Sequence, residues 1–168
     1  MHTADASPVL RQLFSELVEG TSPTGGFVLN PADIGLLRSL DKISSEDASR
    51  SVNTGATIAA HVQHVRYGLS LMNRWAVEGG NPFADANWDA AWALSSVDDA
   101  AWQEIRQGLR EEAGRWLTVL SSPREVSEVE FTGIIASIAH LAYHFGAIRQ
   151  INKESRGPKE GSVSPVRS

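Results

Sequence analysis

Four of the five histidines in this 168-residue chain fall into two close pairs, His61 with His64 and His140 with His144. An α-helix advances 3.6 residues per turn, so a step of three separates two side chains by roughly 60° around the axis and a step of four by roughly 40°. Each pair therefore projects from one helix face, and both of its members can reach a shared point. Neutral imidazole is a ligand for zinc, nickel and ferrous iron. The chain has no cysteine, so a metal here is held through nitrogen or oxygen, and thiol chemistry requires a diffusible thiol. Three imidazoles with a fourth position taken by water make a catalytic arrangement, whereas four imidazoles closing a tetrahedron make a structural one. The competing reading is that these are core or subunit-interface histidines whose nitrogens find hydrogen-bond partners. Four rings at ligand spacing on two helices weigh toward the metal.

The surroundings of the pairs add a pocket. The last helix has an apolar stripe of Ile134, Ile138, Leu141, Phe145 and Ile148, with His140 and His144 along one edge beside Gly133, Ser137 and Ala147. On the earlier helix, His61 and His64 adjoin Val65, Met72 and Trp75, and Gly68 leaves open volume one turn beyond His64. A cavity lined by nitrogen follows. Trp75, Trp88 and Trp92 either wall a substrate pocket or cover the core. No Asp or Glu lies within a helical turn of any of the four histidines on its own helix, so a carboxylate helper must come from elsewhere; Asp85, Asp89 and Glu130 are the candidates. Tyr143 and Arg149 fall outside the stripe and read as surface or interface residues.

The elements that carry these residues are helical. Ser7-Pro8 opens a first helix that stops at Gly20, and Asn30-Pro31 precedes a short helical segment containing Ile34, Leu37 and Leu40. A long helix spans about Thr57 to Val77, ending before Gly79-Gly80. A turn-rich stretch follows, then a helix opened by Ser96 with Asp99 and stopped at Ser121-Ser122-Pro123, then a last helix opened by Ser127 with Glu130. No segment alternates as a half-buried strand does. The expected fold is all-α, a four-helix bundle with a long connection between its second and third helices, as one domain over 1–156 with a disordered tail over 157–168.

Composition bounds the function classes. Hydrophobic residues make up 42% of the chain and the net charge is −5, and the basic residues are scattered singly, which disfavours a nucleic-acid partner. Uninterrupted apolar runs are short and the N-terminus lacks a signal-peptide pattern, so neither a membrane span nor export is expected, and the location is expected to be cytoplasmic.

The sequence resembles the DinB/YfiT-like superfamily of four-helix metalloproteins through TIAAHVQHV with a downstream NRW, and above all through HLAYHFGAI, which is similar to that family's H-x-x-x-H-x-G-x-I ending. The resemblance covers roughly Leu10 to Ile151. It implies a divalent metal on His64, which is followed by an apolar residue as in the family's pattern, and on His140 and His144. His61 departs from the pattern as a fourth ligand, a hydrogen-bond donor to a ligand or a substrate contact. The resemblance further implies a metal-dependent hydrolase, or a transferase or isomerase using a low-molecular-weight thiol, acting on a small-molecule substrate, with zinc, nickel or iron as the metal. A homodimer is expected because bundles of this kind bury an apolar helix face in a two-fold interface. The alternative expectation is a noncatalytic dimeric metal-binding or small-molecule-sensing module on the same fold.

Overall fold

A computed structural model describes residues 2–160. Among them there is no strand, only two isolated bridges, and the regular structure is helical: α1 (Ser7–Glu19), α2 (Gly35–Leu40), α3 (Ser45–Ala48), α4 (Ile58–Glu78), α5 (Trp88–Trp92), α6 (Asp99–Leu120), α7 (Glu128–Ile151) and a 3-10 turn at Lys153–Ser155. The long helices start where a side chain can satisfy a free backbone N–H. Thr57 accepts from the Ala60 amide ahead of α4, Asp98 from Ala101 ahead of α6, and Ser127 from Glu130 ahead of α7. Two of the expected starts differ. The cap of α6 is Asp98, two residues beyond Ser96, and Ser7 lies inside α1, where its hydroxyl donates to Thr3 Oγ1 and leaves Ala6 at the cap position.

The helices α4 and α1 each pack against both α6 and α7. Between them lie Phe14, Leu17, Leu109, Trp116, Leu141, Phe145 and Ile148, all at 1% exposure or less; burying a side chain of this size stabilises the fold by roughly 1.5–3 kcal/mol. The tryptophans of the core are satisfied as well as buried. Trp116 Nε1 donates to Ser137 Oγ at 3.1 Å and Trp102 Nε1 to the Ile43 carbonyl at 2.7 Å.

The connections are tied down by buried charge. Glu16 on α1 accepts from the amides of Phe27, Val28 and Leu29 at 2.6–2.9 Å, which anchors the loop between α1 and α2. Gly20 (φ +97°) ends α1 so close to the start of α2 that a Cβ would fall 2.1 Å from the Asp33 carbonyl oxygen; only glycine fits both the angle and the approach. Asp33, 1% exposed, forms a two-oxygen ion pair with Arg149 at 2.8 Å. Arg149 is therefore not the surface residue expected of it. At 6% exposure it lies over the Phe145 ring, 3.9 Å from the centroid, and also meets Glu160 at 3.1 Å. Tyr143 does face outward, at 71% exposure.

The expected disordered tail differs in its first residues: Gly157 donates to Glu160, and Pro158 accepts from Asn30 Nδ2 at 3.0 Å; residues 161–168 lie outside the described range. By length and composition α7 is apolar enough to cross a membrane, with a mean hydropathy of 1.4 in its most apolar window. Its inner face nonetheless carries core residues packed against α1 and α4.

Candidate metal centre

Helices α4 and α7 lie side by side, and their four histidines meet across that contact. His64 Nε2 stands 3.0 Å from His140 Nε2, which in turn stands 2.9 Å from His144 Nε2. One nitrogen from each of these three rings lies within 4.8 Å of the other two, close enough to share a single ion. His64 and His144 are buried, His140 half-buried. At a metal–nitrogen length of about 2.0–2.1 Å, two ligand nitrogens lie about 2.9 Å apart at a right angle and about 3.4 Å apart at a tetrahedral one. The two spacings to His140 are close to the former. The donor set suits a borderline metal ion, so the three residues fit the group the sequence pattern implies.

His61 meets one of the three rings and stands away from their point of convergence. Its Nδ1 stands 2.9 Å from His144 Nδ1, the nitrogen on the far side of the ring from the point where the three Nε2 atoms converge. Imidazoles that bind a metal through one nitrogen commonly hydrogen-bond through the other, which sets the ring's orientation and tautomer. A closed centre of four imidazoles is not what this arrangement presents.

Burial sets the protonation of the cluster. It lowers all four imidazole pKa values. For His64 burial is joined by repulsion from His140 and His61, bringing it to about 4; for His144 it is joined by repulsion from His140, His61 and His64, bringing it to about 3. At neutral pH the rings are uncharged and their lone pairs available, the form that ligates metal.

The turn-rich connection between α4 and α6 supplies the cover. Its short helix α5 starts at Asn87, whose side chain accepts from the Ala90 amide while its own backbone N–H donates to Tyr67 Oη at 2.9 Å. Trp92 stacks on His64 with centroids 4.2 Å apart and also touches the rings of His61 and His144. Trp88 lies 5.3 Å from the His64 ring. Beside the histidines, between α4, α7 and this connection, opens a cavity of about 680 Å³, lined by His64 and His140 at one end and by Gly68, Met72, Trp75, Phe83 and Trp88 among its walls. Two glycines shape it. A Cβ at Gly68 would stand 3.6 Å from His140 Cε1, an ordinary contact, whereas one at Gly133 would stand 3.0 Å from Trp75 Cζ3 and press on the indole.

Of the expected pocket residues, Gly68, Trp75 and Trp88 line the cavity, whereas Trp92 covers the histidines from outside it. The three candidate carboxylates stay apart from the cluster. Asp85 pairs with Arg74, Glu130 with Arg124, and Asp89 is exposed in the first turn of α5. Phe83 and Tyr67 are contributions that sequence reasoning missed. Phe83 sits in a turn-rich stretch without periodicity, and Tyr67 acts through a contact 20 residues away. No family model, no curated protein and no solved structure matches this chain.

Proposed function

We propose that the chain is a metal-dependent enzyme of the DinB/YfiT-like kind, its four long helices forming the bundle of that family, with zinc, nickel or iron on His64, His140 and His144. The observation that carries this reading is the convergence of one nitrogen from each of these rings within 4.8 Å, reached from two helices whose histidines are 76 or more residues apart in sequence. When bound, such an ion supplies Lewis acidity and, from water or a coordinating thiol, a nucleophile at neutral pH that a chain without cysteine lacks. The chain's own groups have separate tasks. His61 orients the His144 ring, Trp92 screens the imidazoles from water, and the cavity beside His64 and His140 receives the substrate. Hydrolysis or transfer involving a low-molecular-weight thiol are both within this chemistry.

The test is metal analysis of protein purified without added metal, beside His140→Ala. One transition-metal ion per chain, lost in the variant while the helical circular dichroism is retained, is the expected outcome; no transition metal in either protein would overturn the proposal.

A second reading is favoured by the commitment of Asp85 and Glu130 to arginines, which leaves neither as a base at the cluster. On it the chain is a noncatalytic metal-binding or small-molecule-sensing module. A screen for ester hydrolysis and thiol transfer separates the two, because turnover that vanishes in folded His64→Ala excludes a noncatalytic role.

A further inference from the structure

The cavity's walls restrict what it can hold. No Lys, Arg, Asp or Glu is among the residues lining it. Its hydroxyls are already engaged: Ser137 Oγ accepts from Trp116 Nε1 and donates to the Ile134 carbonyl, and Thr132 Oγ1 donates to the Glu128 carbonyl; Asn81, whose Oδ1 accepts from the Phe83 amide, lies at the exposed rim. What remains inside that rim is a pocket with aromatic and aliphatic walls and a polar end made by His64 and His140. Its volume of about 680 Å³ falls within the range of small-molecule sites.

A carboxylate, phosphate or ammonium placed against these walls, away from the histidine end, loses hydration and finds no counter-charge. An uncharged aromatic or branched-aliphatic body gains by leaving water in proportion to the apolar surface it buries. We infer that the ligand of this cavity is an uncharged molecule with an apolar, ring-sized body and a single donor atom at one end, oriented with that atom toward His64 and His140. The inference rests on the metal reading for the donor end alone; the selection for an uncharged apolar body comes from the walls. It also separates two reactants. A low-molecular-weight thiol bearing several charges does not lie along these walls as an apolar body does.

Calorimetry on the full chain, zinc-loaded and zinc-free, tests this with three probes: 2-phenylethanethiol, ethylbenzene and glutathione. The zinc-loaded chain is expected to bind 2-phenylethanethiol at least tenfold more tightly than glutathione and at least tenfold more tightly than ethylbenzene, while ethylbenzene binds equally with and without zinc. Ala136→Trp places an indole at an exposed position of the lining and should weaken both apolar probes tenfold without changing zinc content. Glutathione binding as tightly as the aryl thiol would overturn the ligand class while leaving the metal centre intact. A chain that binds ethylbenzene but takes up no zinc would overturn the metal centre and the donor end with it. Ethylbenzene binding unaffected by Ala136→Trp would overturn the assignment to this cavity.

Discussion

At the scale of single residues, the informative ring is His144, because both of its nitrogens are in use. If Nε2 gives its lone pair to an ion, Nδ1 must carry the ring's proton, and the only group 2.9 Å from it is His61 Nδ1. His61 then accepts through Nδ1 and holds the His144 ring in the plane that ligation needs. Partners of this kind typically contribute 10–100-fold to metal affinity. His61→Ala is therefore expected to weaken metal binding by about that factor, read by competition with a chromogenic chelator, with helicity retained; an unchanged affinity would remove His61 from this role. The sequence made the two pairs legible, since spacings of three and four residues put both members on one face. It did not reveal which His61 nitrogen meets which partner. That depends on the axial offset between α4 and α7, which core packing 80 residues away decides.

Among the elements, α7 stands out for being apolar on the outside as well as the inside. From Phe131 to Ile148 it has no charged residue, yet Val129, Ile135 and Tyr143 are 71%, 48% and 71% exposed. A helix apolar all round is ordinarily covered on every side. In a chain of net charge −5, two copies approaching through most surfaces bring like charges together, whereas the stretch from Phe131 to Ile148 brings none, so a second copy of the chain is the occupant we propose for it. Sedimentation equilibrium is expected to give twice the 18.2 kDa chain mass and to return to the monomer in Ile135→Glu, which buries a charge in the interface; a wild-type monomer at high micromolar concentration would refute the dimer. The elements themselves were legible where apolar periodicity was sustained, as from about Thr57 in α4, and where a cap was read beside it, as with Ser127 for α7. Two features were not. The helix α5 has five residues, too few for a periodic signal, although its two tryptophans cover the histidines. Arg149 carries the residue type of a surface position, and its buried partner Asp33 lies 116 residues earlier, where no local pattern can show it.

For the molecule as a whole, the histidine cluster couples folding to protons. In the unfolded chain each imidazole titrates near 6.5; in the fold all four are lowered, His64 to about 4 and His144 to about 3, chiefly by burial. As the pH falls through 6.5 the unfolded chain takes up protons that the folded chain refuses. Stability is therefore greatest above that value, declines as the solution is acidified, and stops declining on this account only once the folded rings themselves protonate, below about 4 for His64 and about 3 for His144. Each imidazole kept neutral contributes a slope of up to about 1.4 kcal/mol per pH unit in that window. Between pH 7 and 5.5 the unfolded carboxylates, with pKa values near 4, are still ionised, so the histidines dominate the response there. The metal-free chain should show urea midpoints that fall steadily across this interval, and His144→Leu, which removes one depressed imidazole and its repulsion on the others, should flatten the fall. A bound ion adds to the same balance, since it stabilises only the folded form and competes with protons for the same nitrogens. The loaded chain should thus start with higher midpoints than the metal-free one at pH 7 and converge on it as acid displaces the ion. Midpoints that do not move between pH 7 and 5.5 in the metal-free chain would mean that the rings protonate as readily in the fold as outside it, and would remove the desolvated cluster on which ligation depends.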